Sequence, residues 1–154
     1  MARGLTLGEA ERICRRHGLP LTVQRRMILE ALAPRTDHPT ADQIVADVGR
    51  RAPEISRTTV YRTLEAFVRI GVARKVCHPG AVARYEIERG RHHHLVCLVC
   101  GRMTDFEDPR LDQLALPKAH GFELTDYSIQ FRGICAGCAK AKRKKSGSKG
   151  AGRK

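Results

Sequence analysis

Metal-ligating side chains are concentrated in one stretch of this chain, residues 86–101, which reads EIERGRHHHLVCLVCG. The stretch contains a glutamate, three consecutive histidines and a Cys-x-x-Cys pair, and a second such pair lies near the C-terminus. Thiolate and imidazole are the side chains that transition metals prefer, and carboxylate is the usual third ligand. The thiols therefore suit a closed structural zinc site, whereas the histidines and carboxylates suit a second, exchangeable site.

The paired cysteines give the stronger of these two signals. Each Cys-x-x-Cys forms a tight turn whose two sulfurs converge on one tetrahedral ion. The pairs are Cys97 with Cys100 and Cys135 with Cys138, so the chain between them must fold back to bring the two turns together. A redox-active dithiol is the alternative, but two pairs without a thioredoxin-like pattern favour structural zinc.

The second site depends on histidines and carboxylates. Along a strand, His92 and His94 project to one face and His93 to the other. A lone histidine is more often structural, but two on one strand face with carboxylates nearby in the sequence favour a metal. The candidate ligands of this exchangeable ion are His38, Glu86, His92, His94 and Asp105.

The charge of the chain indicates a polyanionic partner. Its 154 residues carry a formal net charge of +13, with a pI near 10.1, which is typical of nucleic-acid-binding proteins. Residues 140–154 hold eight lysines or arginines and no acid, which leaves +5 for residues 1–139. We predict that residues 140–154 form a disordered basic tail that attracts phosphates without regard to sequence.

The sequence predicts a cytoplasmic protein without a membrane partner. No apolar run approaches the roughly 18 residues that span a bilayer, and the N-terminus lacks the apolar core of a signal peptide. In a reducing compartment, six cysteines as two close pairs and two singles predict metal ligation before disulfides.

Capping signals and hydrophobic periodicity predict four helices followed by a two-stranded ribbon. The helices cover residues 6–17, 22–33, 40–51 and 56–70, and the strands cover residues 72–77 and 82–87, joined by a turn at 78–80. This order is the plan of a winged helix-turn-helix, whose last helix before the wing enters the major groove of DNA. The candidate DNA-binding residues on that helix are Arg57, Thr58, Thr59, Tyr61 and Arg62.

The second half of the chain predicts a small α+β unit. Residues 92–99 and 103–106 read as strands, a helix runs from Asp108 to about Gly121, and residues 122–131 read as a long strand. Alone, this unit would bury little apolar surface. We therefore expect a metal ion and a partner subunit to add stability.

Six motifs, taken together, carry a family resemblance. In order they are LTVQRRMILEAL (21–32), HPTADQI (38–44), RTTVYRTLEAF (57–67), YE (85–86), HHHLVCLVCG (92–101) and GICAGC (133–138). This order resembles the ferric uptake regulator family over roughly residues 7–140. Its members are dimeric, metal-dependent transcription repressors with a winged-helix domain and an α+β dimerisation domain.

The resemblance implies a role for each candidate residue. It assigns structural Zn²⁺ to the four paired cysteines, a regulatory Fe²⁺ or Mn²⁺ (with Zn²⁺ possible) to the five other ligands, and DNA contact to Tyr61 and Arg62. The implied partners are a double-stranded DNA operator and a second copy of the chain. The implied domains are a winged-helix domain at 1–87, a hinge at 88–91, a dimerisation and zinc-binding domain at 92–139, and the basic tail at 140–154.

The branch of the family rests on a few positions. His38 with the following Pro-Thr-Ala-Asp, and Asp105 as a ligand, resemble the peroxide-sensing branch, whereas Glu86 resembles the iron-uptake branch. Cys77, near the hinge, keeps a zinc-uptake regulator open, because that branch commonly uses a cysteine ligand. We predict a repressor responsive to peroxide, iron or manganese, with an iron-uptake or zinc-uptake regulator as the alternative.

Two other classes of protein fit less well. A non-heme metal enzyme would need a substrate pocket beside the metal, and a site filled by protein ligands offers none. A zinc-ribbon adaptor would not need the basic outward face of residues 57–69. The sequence therefore predicts neither an enzyme nor a small-molecule substrate.

Overall fold

The computed structural model describes residues 5–77, 82–90, 92–117, 120–124 and 127–147. The chain divides into two compact units, Met1–Arg91 and His92–Lys154. Within the described residues, no helix combines the length and the apolar character needed to cross a membrane.

The first unit begins with four helices, each started by the residue that the sequence predicts. They are α1 (Leu7–Arg16), α2 (Val23–Leu32), α3 (Ala41–Gly49) and α4 (Arg57–Arg69). The side chains of Thr6, Thr22, Thr40 and Ser56 each accept a hydrogen bond from the third backbone N–H of the helix that follows. These bonds satisfy donors that have no partner inside the helix, which is why these positions start helices.

The core of this unit lies under α4. Val60, Leu64 and Phe67 recur on one face of α4 and are fully buried, and they join Ile28, Leu32 and other side chains of α1–α3 in one cluster. Each such side chain stabilises the fold by about 1.5–3 kcal/mol through removal of apolar surface from water. The opposite face of α4 is thereby left to solvent, as its basic residues require.

A two-stranded wing follows α4. Gly71, with φ 74°, ends the helix in the left-handed conformation that a residue without a Cβ adopts freely. The strands β1 (Ala73–Val76) and β2 (Arg84–Ile87) then pair antiparallel. The predicted turn at 78–80 lies outside the described residues. Four helices and a two-stranded ribbon confirm the predicted winged helix-turn-helix.

The second unit is a three-stranded sheet with two helices. Its elements are β3 (His93–Cys97), β4 (Met103–Phe106), α5 (Pro109–Asp112), β5 (Gln130–Gly133) and α6 (Ala136–Gly147). In the sheet, β3 lies between β4, its antiparallel neighbour, and β5, its parallel neighbour. Among the described residues of this unit, the buried hydrophobic side chains are only Val96, Cys97 and Met103.

Two sequence predictions in this unit are wrong in extent. The helix expected to reach about Gly121 is a single turn that ends at Asp112, and the strand expected from residue 122 begins at Gln130, with an isolated bridge at Phe122. Leu114 and Phe122 are 48% and 77% exposed, so the apolar spacing that suggested these longer elements has no surface within the described residues to pack against. Pro117 also disfavours helical conformation just before it.

The predicted disorder of the tail fails for residues 140–147, which form the last two thirds of α6. Alanine, lysine and arginine are among the strongest helix formers, and α6 already begins beside Cys135, which gives those residues an existing turn to extend. Residues 148–154 lie outside the described part of the chain, and the prediction stands for them.

Candidate metal centres and nucleic-acid face

The four paired cysteines lie together as a thiol cluster of Cys97, Cys100, Cys135 and Cys138. Their sulfur atoms all lie within 4.8 Å of one another, and Sγ of Cys100 is 3.8 Å from Sγ of Cys135. Sulfurs held tetrahedrally at about 2.3 Å from one zinc ion are about 3.8 Å apart. The thiol cluster therefore has the dimensions and the donors of a closed zinc site.

The parallel pairing of β3 with β5 brings the two cysteine turns together. Cys97, the last residue of β3, is in register with Gly133, the last residue of β5. Leu98 N also donates a hydrogen bond to Gly133 O at 2.8 Å. Because neighbouring parallel strands end at the same edge of a sheet, the turns that follow them emerge side by side.

Backbone donors already stabilise thiolates in this cluster. Cys135 N donates to Cys97 Sγ at 3.3 Å, and this bond, with those from Cys100 and Val99, lowers the pKa of Cys97 to about 6. Hydrogen bonds with the Cys135 thiol and, to a smaller extent, with the Cys100 thiol raise the pKa of Cys138 to about 12. Crowded thiols thus hold a proton among themselves, whereas a bound cation would deprotonate all four.

His38 and Glu86 form a buried pair in the first unit. Nε2 of His38 lies 2.8 Å from Oε2 of Glu86, and the two residues are 2% and 3% exposed. The wing positions the loop that carries His38, because Arg84 Nη1 donates to His38 O at 2.8 Å and Tyr85 N donates to Pro39 O at 2.9 Å. The strand that holds this loop is also the strand that carries Glu86.

The backbone of His38 is strained. Its φ of 51° lies in the left-handed region, which non-glycine residues adopt rarely, and Pro39 follows it directly. Strain of this kind persists only where surrounding contacts enforce it, and it is found most often at functional sites. The contacts of Arg84 and Tyr85 supply that constraint, so His38 is held beside Glu86 at some cost.

Three further ligand candidates converge in the second unit. Asp105 on β4 lies directly opposite His94 on β3, and His92 is two residues from His94, so all three side chains share one face of the sheet. Nε2 of each histidine is 3.9 Å from Oδ1 of Asp105, and the two imidazole rings are 4.8 Å apart. Strand alternation and register together account for this cluster.

His93 lies on the opposite face, as the alternation predicts. Its Nε2 is 3.2 Å from Oδ1 of Asp112, and its ring stacks on Tyr127 with centroids 6.3 Å apart. The Tyr127 hydroxyl in turn donates to Leu111 O. His93 therefore ties β3 to the segment around α5 on the other side of the sheet.

The outward face of α4 carries a small polar network. Arg57 Nη2 lies 2.8 Å from Oδ1 of Asp42, and the Tyr61 hydroxyl donates to the same oxygen at 2.9 Å. The sequence identifies Asp42 only as part of the Pro-Thr-Ala-Asp motif and does not predict its contact with α4, because that contact depends on how α3 packs and no local pattern reveals it. Arg62 lies on the exposed side of the same helix.

Comparison with known proteins agrees with this architecture. The sequence profile of the ferric uptake regulator family matches residues 16–132. The peroxide operon regulator of Bacillus subtilis is 33% identical over 136 residues, covering 87% of this chain and 94% of that protein. The peroxide-responsive repressor PerR of Staphylococcus epidermidis is 31% identical over 126 residues, covering 80% and 84%.

Solved structures show the same relationship. A zinc-bound manganese uptake regulator is 29% identical, with a TM-score of 0.65, and covers 82% of this chain and 98% of its own. The ferric uptake regulator of Vibrio cholerae is 27% identical, with a TM-score of 0.64, and covers 81% and 98%.

A winged helix-turn-helix followed in the chain by a sheet with a four-thiol cluster defines a class of metal-responsive DNA-binding regulators. Within that class, this chain belongs to the ferric uptake regulator family. It is a transcription regulator and not an enzyme, and both predictions made from the sequence are confirmed.

Proposed function

We propose that the protein is a homodimeric repressor that binds its DNA operator when a regulatory metal ion is bound. The thiol cluster holds structural Zn²⁺, and His38, Glu86, His92, His94 and Asp105 hold the regulatory ion. The observation that carries this proposal is that the ligands come as two groups, each assembled within its own unit: the buried His38–Glu86 pair, and the His92–His94–Asp105 cluster.

The division of ligands between the two units supplies the mechanism. An ion that requires both groups stabilises only those arrangements of the units in which the groups meet. Metal binding then shifts the population toward one arrangement, by no more than the difference in metal affinity between the arrangements. In this scheme residues 1–87 bind DNA, residues 88–91 act as the hinge, residues 92–139 dimerise, and the basic tail adds charge.

The donor set favours Fe²⁺ or Mn²⁺ at the regulatory site. Three imidazoles and two carboxylates are borderline-to-hard donors, and the set lacks the thiolate that favours zinc. Cys77, the residue that could have supplied a thiolate, is exposed and belongs to neither ligand group. Because the Bacillus and Staphylococcus relatives are named for peroxide, we place this chain with peroxide-responsive repressors; an iron-uptake regulator is the second candidate, on account of Glu86.

The surface of the second unit supports a homodimer. Nine of the eleven large hydrophobic side chains that are exposed among the described residues belong to this unit, which has only three buried hydrophobic side chains of its own. An exposed apolar surface of this kind on a unit with so small a core is typical of an interface with another subunit. The nine are Leu95, Leu98, Val99, Leu114, Leu116, Phe122, Leu124, Phe131 and Ile134.

A gel-shift series tests the proposed function. The full-length protein is stripped of its regulatory ion and offered a duplex selected from a random library, with Fe²⁺ under anaerobic conditions, Mn²⁺, Zn²⁺ or no metal. We expect a shifted band that requires Fe²⁺ or Mn²⁺ and is lost in the Asp105→Asn variant, while light scattering gives a dimer throughout. Equal binding with and without metal would contradict the proposal.

The role of α4 gives a second expected result. Arg62→Ala should relax base discrimination, at a cost of about 1–3 kcal/mol at one base pair, because arginine can bind guanine O6 and N7 together. The measurement is a competition assay against every single-base variant of the selected duplex. A uniform loss over all variants would assign Arg62 to the phosphate backbone.

Removal of residues 140–154 is the contrasting variant. This deletion takes away eight positive charges, so it should weaken binding to all sequences alike. The slope of log K against log[salt] should also become shallower, by about 0.9 for each phosphate that the full-length protein neutralises and the shortened protein does not. A change in base preference in the truncated protein would contradict a purely electrostatic role.

A further inference from the structure

Asp42 is an anion in the middle of a surface that is expected to meet phosphate. It lies in the first turn of α3, its side chain is 54% exposed, and one of its oxygens contacts both Arg57 and Tyr61 of α4. The triangle closes because Arg57 Nη2 donates to the Tyr61 hydroxyl at 3.3 Å and the guanidinium lies 5.3 Å from the centroid of the tyrosine ring. All three residues belong to the first unit.

The position of Arg57 makes an anion at this point favourable. Arg57 is the first residue of α4, where the partial positive charge of the helix disfavours a cation and attracts an anion. In DNA that anion is a phosphate, and in the free protein it is the carboxylate of Asp42. The carboxylate of Asp42 is therefore paired with the Arg57 guanidinium, which would otherwise be available to a DNA phosphate.

We propose that Asp42 is a specificity-determining residue that lowers the affinity for DNA of arbitrary sequence. A duplex of arbitrary sequence is held through its phosphates alone, so it gains Arg57 as a phosphate contact only by displacing the carboxylate and tolerating a negative charge beside its phosphates. The ion pair is largely exposed and weak, so it does not block binding. A duplex with the correct base edges is also held by base contacts and can bind with the Asp42–Arg57 pair intact, so it incurs less of this cost, as with repulsive elements in other specific interfaces.

The proposal rests on α4 being the DNA-binding helix, and the experiment separates the two ideas. The metal-loaded full-length protein is titrated with two duplexes of equal length, one selected from a random library by the wild type and one of random sequence. Asp42→Asn should bind the random duplex about three- to tenfold more tightly, because Arg57 can then neutralise one more phosphate. For the same reason the slope of log K against log[salt] should be steeper by about 0.9. Affinity for the selected duplex should change less, so the ratio of the affinity for the selected duplex to the affinity for the random duplex should fall.

Three variants serve as controls. Glu30→Gln removes one negative charge from an exposed position of α2 and should leave the ratio unchanged. Asp42→Glu keeps the charge and should stay near the wild type. Arg57→Ala should itself weaken binding to both duplexes, and Asp42→Asn should have little further effect in an Arg57→Ala background, because the carboxylate acts through that guanidinium. Melting curves confirm that each variant is folded.

Several outcomes would overturn the proposal. These are an unchanged affinity ratio in Asp42→Asn, an equal shift in Glu30→Gln, or a full effect of Asp42→Asn without Arg57. If Arg57→Ala and Arg62→Ala both leave DNA binding unaltered, then α4 is not the DNA-binding helix, and the proposed DNA face fails together with this inference. If Arg62→Ala relaxes base preference while Asp42→Asn changes nothing, only the inference about Asp42 is wrong.

Discussion

Replacing Cys135 by serine is expected to release the structural zinc ion and to unfold the second unit. The reason is the balance of stabilising contacts there: Val96, Cys97 and Met103 are its only buried hydrophobic side chains among the described residues. Structural zinc sites contribute about 10–16 kcal/mol of apparent binding free energy in small metal-dependent domains, far more than so small a core supplies. Losing one thiolate of four removes much of that contribution.

The measurements are zinc content by mass spectrometry, near-UV circular dichroism and oligomeric state by light scattering. Cys77→Ser is the matched control, because Cys77 is a free thiol outside the thiol cluster; it should retain zinc and the dimer. Cys97→Ser should repeat the effect of Cys135→Ser. A Cys135→Ser protein that keeps its zinc and a native dimer would refute the zinc assignment.

The second large effect concerns peroxide. When the regulatory site is loaded with Fe²⁺ and the protein is treated with mild hydrogen peroxide, we expect His38 or His92 to gain one oxygen atom and DNA binding to be lost. Ferrous iron held by the regulatory ligands would supply the electrons that reduce peroxide, and His38 and His92 are the expected targets by resemblance to the peroxide-sensing branch of the family. Loss of one imidazole donor would then leave the regulatory ion with too few ligands to hold the two units in the DNA-binding arrangement.

The Mn²⁺ form is the control, because manganese should occupy the same ligands without reducing peroxide. His93 provides an internal reference: it is fully buried on the opposite face of β3 and should stay unmodified. Peptide mass spectrometry and gel shifts on the same samples give both readouts. Intact histidines and retained DNA binding in both metal forms would favour an iron- or manganese-uptake regulator.

The first unit was predictable from the sequence because its signals are local. The capping residues Thr6, Thr40 and Ser56 act within one helical turn, and the buried face of α4 follows from a spacing of three and four residues. The two metal-ligand groups could also be predicted from the sequence, since His92 and His94 share a face by strand alternation alone.

The second unit was harder, because its structure depends on partners far away in the sequence. Nothing near Gln130 indicates that β5 pairs in parallel with β3, and nothing near Leu114 indicates that its apolar side chain is left exposed. The contacts of Asp42 with Arg57 and Tyr61 could not be predicted for the same reason, since these residues meet only through the packing of α3 against α4. Contacts between residues far apart in the sequence, rather than weak local patterns, limit how much of the second unit can be predicted from the sequence.

The parallel pairing of β3 with β5 also has a consequence for synthesis on the ribosome. Cys100 and Cys135 are 35 residues apart, and translation adds roughly 5–20 residues per second. For several seconds the nascent chain therefore contains Cys97 and Cys100 but not the two thiols that complete the site. During that time β3 can pair with β4 but not with β5. During this interval the first pair is open to oxidation and to capture by other metals. A cell short of zinc or under oxidative stress would thus lose newly made repressor before it lost the mature protein.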